Sequence, residues 1–147
     1  MSVDWYKAAE SDLREYSGLL DAIKSLEERL EVLGEVSLRG PVLDDVPIHG
    51  GGSHYEDHIL NALSERTEKK RLLAINRQRV QMIERGLKSL DGEERAILDG
   101  FYIYPMSTYR CADILAEKLS YDRVTVYRKR TAAMKKYVLH THGLPKT

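Results

Sequence analysis

Tyr16, Leu19, Ile23, Leu26, Leu30 and Leu33 recur at alternating steps of three and four residues, and no proline lies among them. That spacing puts all six on one side of an α-helix and does not fit the two-residue period of a half-buried strand. Trp5 and Ala9 extend the stripe towards the N-terminus, and Asp12 interrupts it. The spacing predicts one helix from Asp4 to about Gly34, roughly 45 Å long. A helix of that length is too long for a small globule unless a second element runs beside it.

The second element is predicted between about Glu56 and Leu90. Ile59, Leu63, Leu73, Val80, Ile83, Leu87 and Leu90 share one side, with Arg66, Lys70 and Arg77 standing where apolar residues would continue the stripe. The simplest arrangement is an antiparallel helical hairpin, the acidic first helix lying along the basic second. Such a seam is narrow and leaves apolar edge uncovered, so a coiled-coil-like homodimer through the long helices is expected. Between the helices, residues 35–57 combine Pro41, Pro47 and a Gly50-Gly51-Gly52 run without any period. They read as a flexible linker of about twenty residues. The glycines have no preceding strand and no following Gly-Lys-Ser/Thr, so they do not read as a phosphate loop.

The chain has 147 residues and zero formal net charge, but the charge is unevenly spread. Residues 1–57 hold 13 acidic against 5 basic side chains, and residues 58–147 hold 10 against 18. From Ser120 onward Asp122 is the only acid among seven Lys and Arg. The C-terminal half therefore suits a polyanion and the N-terminal half does not. No apolar run approaches the roughly 20 residues that span a bilayer, and the N-terminus does not read as a signal peptide. A single cysteine, Cys111, fits a reducing compartment. The expected setting is cytoplasmic, with no membrane partner.

Short helices are predicted after residue 90. Asp91 with Glu94 three residues on has the form of a capping box, and Ala96, Ile97, Leu98, Phe101 and Tyr102 give that helix its buried side. A helix restarting at Ser107 or Thr108 turns Ala112, Leu115, Ala116 and Leu119 inward. Asp122 caps a last helix, Arg123 to about Tyr137, with Val126, Ala133, Met134 and Tyr137 inward. Ala116, the Ser120 corner and Val126 have the spacing of a DNA-binding helix-turn-helix, in which a small residue sits at the close approach and an apolar residue ten positions on locks the crossing. Ser120 stands where glycine is commonest, because the corner favours positive φ.

The run "LDGEERAILDGFYIYPMSTYRCADILAEKLSYDRVTVYRKRTAAMKKY", Leu90 to Tyr137, resembles region four of bacterial sigma factors, which reads the promoter −35 element. With the helix, Pro/Gly linker and second helix that precede it, nearly the whole chain resembles phage-encoded transcriptional regulators of the ArpU/RinA type. The implied fold is all-α: a long helical hairpin over residues 1–90, then a three-to-four-helix DNA-binding domain over 91–147 with a short tail. The implied DNA-binding residues are Arg123, Val124, Thr125, Tyr127 and Arg128 on the recognition helix. Arg123 matches a DNA-contacting arginine, and Arg128 takes the place of a base-reading side chain. Val124 replaces a carboxylate, so the sequence read should differ from an ordinary −35 element. Thr108, Tyr109 and Arg110 should meet phosphates at the preceding helix start, and Lys129, Arg130, Lys135 and Lys136 should supply sequence-independent charge.

Nothing resembles the sigma-factor region that melts and reads the −10 element. An activator or accessory factor acting with host RNA polymerase at a phage or prophage late promoter is therefore the expected function. No enzyme activity, metal or cofactor is expected. His54 and His58 are spaced i, i+4 but lack a third ligand; His140 and His142 lie in a polar tail; Cys111 has no evident base; Glu93 and Glu94 point in different directions. Tyr102 and Tyr104 read as core and rim. Two alternatives remain from other classes: a small terminase-like packaging subunit, which would form a large ring, and a sigma mimic that binds only polymerase.

Overall fold

A computed structural model of the chain describes residues 4–39, 51–106 and 110–143. Every regular element among them is helical: α1 (Trp5–Arg39), α2 (Gly51–Lys88), α3 (Gly92–Leu98) with a π-helical turn (Asp99–Ile103), α4 (Cys111–Leu119) and α5 (Arg123–Thr141). The fold is all-α, and no described helix is long and apolar enough to cross a membrane.

The linker expected at 35–57 is corrected at both ends. Helix α1 runs on to Arg39, since nothing from Glu35 to Arg39 breaks a helix. Helix α2 already begins at Gly51. Glycine is tolerated there because the first-turn N–H groups have no intrahelical partners in any case. Pro41, Pro47 and Gly50 lie outside the described residues.

The chain divides into two compact units, one made of Met1–Leu19 with Arg79–Thr147 and the other of Leu20–Gln78. The first unit includes both sides of residue 90, where a domain boundary was expected. The second consists of lengths of α1 and α2 alone. Within it Leu33 and Leu73 are buried, whereas Ile23, Leu26 and Leu30 are half-covered. Leu63, expected on the seam, is 44 % exposed, a correction to the α2 stripe. Arg29 grips Glu65 with two nitrogens, Nε at 2.7 Å and Nη2 at 3.0 Å, and Arg77 reaches Glu27 at 2.8 Å. The Arg29 hydrogen bond holds the Glu65 carboxyl below its usual range.

In the other unit Ala9 and Leu13 of α1 and Val80, Ile83 and Leu87 of α2 are buried together with residues of the shorter helices. Asp12, which breaks the apolar stripe, accepts a hydrogen bond from the Tyr137 hydroxyl at 3.2 Å and lies 2.6 Å from His142 Nε2. Burial, then the Asp12 carboxylate, pushes the Tyr137 hydroxyl pKa well up, so the phenol remains a donor. Gly86 permits the close approach of α5: a Cβ there would stand 2.5 Å from the Tyr137 ring and from Thr141 Cγ2. Tyr16 donates to Glu84 at 3.0 Å, and Arg79 pairs with Glu15.

Candidate nucleic-acid interface

Asp91 starts α3 by accepting from the Glu94 backbone N–H at 2.8 Å, and the Asp91 N–H donates to the Glu94 carboxylate at 3.1 Å. This is the reciprocal capping box expected from the spacing. The backbone N–H of Glu94 holds the Asp91 carboxyl pKa low. At the other end α3 passes into the π-helical turn, where Tyr104 N–H bonds Asp99 C=O at 2.7 Å. The turn presents Gly100 to Leu115, whose Cδ1 would be 3.2 Å from an added Cβ. Cys111 Sγ donates to the Gly100 carbonyl at 3.2 Å, and burial pushes its thiol pKa up, away from a reactive thiolate. Ile97, Cys111, Leu115, Ala116 and Val126 close the core, with Phe101, Met106, Leu119 and Tyr121 against it.

The corner after α4 has a definite geometry. Ser120 lies at φ 62°, ψ 42°, the left-handed region. Tyr121 N–H bonds Ala116 C=O at 2.8 Å and Ser120 N–H bonds Glu117 C=O at 3.4 Å, the paired bonds of a Schellman ending. Asp122 then caps α5 by accepting from Thr125 N–H at 2.8 Å. The Thr125 hydroxyl and N–H together hold the Asp122 carboxyl below its usual range. Helix α5 runs to Thr141, past the end expected near Tyr137, and buries Val126, Ala133, Met134, Tyr137 and Val138.

With those residues inward, the helical period decides what faces outward. Val124, Tyr127, Arg128, Thr131 and Lys135 fall on one stripe, and all are exposed. Val124 is 63 % exposed. Thr131 did not figure among the expected contacts. Its hydroxyl donates to the Tyr127 carbonyl at 3.1 Å. Its signal was its i+3 spacing from Arg128. Arg123 begins the helix, exposed, with Nε 3.1 Å from Asp113 of α4. Thr125 is half-covered at the cap, and Arg110 is exposed immediately before α4. Thr108 and Tyr109 lie outside the described residues.

The remaining basic residues of α5 are engaged within this unit. Lys129 Nζ meets Glu93 at 3.0 Å and lies 4.7 Å from the Tyr121 ring centre, and its pKa is raised by Glu93 first and Tyr121 second. Lys136 meets Glu94 at 3.1 Å. The two lysines are seven positions apart, on the side of α5 that faces α3. Arg130 points inward among aromatic rings. Of the α5 lysines and arginines, Arg128, Arg130 and Lys135 make no ion pair among the described residues, and Arg130 alone of these three lies against aromatic rings.

No protein-family model matches this chain, and neither the curated proteins nor the solved structures contain a match.

Proposed function

We propose that the protein is a sequence-specific regulator of transcription that binds double-stranded DNA, with α4, the Ser120 corner and α5 acting as a helix-turn-helix. The observation that carries this reading is the α5 stripe of Val124, Tyr127, Arg128, Thr131 and Lys135, which starts just beyond the left-handed corner and is backed by buried Val126, Ala133 and Met134. A helix presenting such a stripe fits a major groove about 12 Å wide. Arg128 can hold guanine O6 and N7 through two N–H groups, worth about 1–3 kcal/mol of discrimination. Val124 and the Thr131 methyl suit thymine methyl groups, and neither can accept from cytosine. Lys135 and Arg110 would neutralise phosphates, with Arg123 at the groove edge beside its Asp113 partner.

The acidic and basic lengths of α1 and α2 would then serve as a helical hairpin for a second copy or for RNA polymerase, in keeping with the resemblance to phage regulators of the ArpU/RinA type. No bond is made or broken on this reading, and no cofactor is needed. Selection of the purified protein against random duplex DNA at two salt concentrations tests it. A motif that persists at the higher salt supports the regulator, and paired half-sites add a homodimer. Salt-sensitive binding without a motif, together with a large closed oligomer by light scattering, would replace it with a packaging role. Within the regulator reading, Arg128→Ala lowers sequence preference, whereas Lys135→Ala weakens binding to all sequences and shallows the salt slope by about one unit.

A further inference from the structure

Arg130 differs from every other cation on α5. Its guanidinium carbon lies 4.6 Å from the Phe101 ring centre, 5.0 Å from that of Tyr127 and 5.7 Å from that of Tyr6. Its Nε is buried and has no hydrogen-bond partner among the described residues. The rings come from α1, the π-helical turn and α5 itself, and all three are tied further. The Tyr6 and Tyr102 hydroxyls are 3.0 Å apart, and the Phe101 and Tyr127 rings stand 6.0 Å apart at 44°. A guanidinium so placed is poorly hydrated and attracted to the ring faces, and its flat shape suits stacking in a way an ammonium does not.

Tyr127 occupies the boundary. One part of its ring rests against Arg130 and Phe101, and the residue is still 37 % exposed on the stripe. Tyrosine on a helix surface ordinarily samples more than one rotamer, and binding must then select one. The cluster makes that selection in advance.

We propose that Arg130 is a positioning residue for Tyr127, fixing the ring edge on the DNA-facing stripe and so contributing to preference at one base position, rather than a phosphate contact. The proposal rests on the reading of α5 as a recognition helix, but its first consequence does not need DNA. In the full chain, Arg130→Met displaces the NMR signals of the Tyr127 ring and broadens them as rotamers exchange. Preference at one base position falls about 2- to 30-fold, the range expected for a lost cation–ring contact. The salt slope of binding stays unchanged, and in a Tyr127→Leu background Arg130→Met causes no further loss of preference. Arg130→Lys keeps the charge but loses the flat stack, and falls between; it also decides the matter if the methionine variant fails to fold. A salt slope shallower by about one unit would make Arg130 a phosphate contact and overturn the proposal. Unchanged Tyr127 signals in both variants would overturn it as well. If no duplex is enriched even by the unaltered protein, the recognition-helix reading fails, and the ring signals alone still decide whether Arg130 holds Tyr127.

Discussion

Leu20–Gln78 and the unit formed by Met1–Leu19 with Arg79–Thr147 draw on the same two long helices but bury them differently. Between Leu20 and Gln78 the buried apolar residues among those described are Leu33 and Leu73, and exposed ion pairs such as Arg29–Glu65 supplement them. In the other unit α1 and α2 meet three shorter helices, and Leu13, Ile83, Ile97, Leu98, Leu115, Val126 and Met134 are all almost fully covered. Two helices side by side can cover only a stripe of each other, and a second layer covers the rest. Exposed ion pairs do not make up the shortfall, because water and salt screen them.

The widest gap between the two regions should appear in core truncations. Ile97→Ala is expected to cost about 2–5 kcal/mol in urea denaturation, whereas Leu63→Ala, at a site 44 % exposed, should stay within about 0.5 kcal/mol. Equal losses would erase the contrast. The same glycine substitution should then change sign between the regions. Gly86→Ala drives a methyl into Tyr137 and Thr141 and should destabilise by about 1–3 kcal/mol. Gly34→Ala meets nothing within 4 Å and should stabilise by about 0.5–1 kcal/mol through helix propensity. Ser120→Gly relieves the left-handed corner and should raise stability by about 0.4–1 kcal/mol in thermal unfolding, whereas Ser120→Val should lower it.

Acid titration gives the smallest and most discriminating contrast. Asp91 and Asp122 have folded-state pKa values below their ordinary 3.8, and Glu65 lies below its ordinary 4.5. Each therefore contributes stability that is fully present above its unfolded-state value and is lost as pH falls through the lower folded one. The caps are local hydrogen bonds, while the Glu65 contribution also depends on Arg29. In about 1 M salt the acid loss arising from Glu65 should shrink and that arising from the caps should persist. Circular dichroism of Asp122→Asn and Glu65→Gln, titrated at low and high salt, separates the two. A cap contribution that disappears with salt would show that the Asp122 pKa is set by distant charge and not by Thr125.

What could be read from the sequence was what neighbouring residues decide among themselves. The Asp91–Glu94 box, the left-handed Ser120, the Asp122 cap and the inward faces of Val126, Ala133, Met134 and Tyr137 all follow from spacings within a few turns of chain. Leu13 escaped notice because Asp12 beside it looked like a break in the stripe. The break is filled by Tyr137 and His142, more than a hundred positions away, and no local pattern announces such partners. The destinations of Lys129, Arg130 and Lys136 were hidden for a related reason. A basic residue in a sequence looks alike whether it faces water or a carboxylate on another helix, and only the packing of α3 and the π-helical turn separates them from Arg128 and Lys135. The early start of α2 at Gly51 was obscured because glycine marks a turn in most contexts and is harmless in a first helical turn.

The bond between Tyr137 and Asp12 joins residues 125 positions apart. Ribosomes add roughly 5–20 residues per second, so about 6–25 s separate the synthesis of Asp12 from that of its partner. For all that time the Asp12 carboxylate must do without its Tyr137 donor, next to Leu13, which finishes completely buried. Helix α5 is thus made long after the first turns of α1 although both belong to one unit, and a chain halted before α5 would leave Asp12 without the donor that the folded unit gives it.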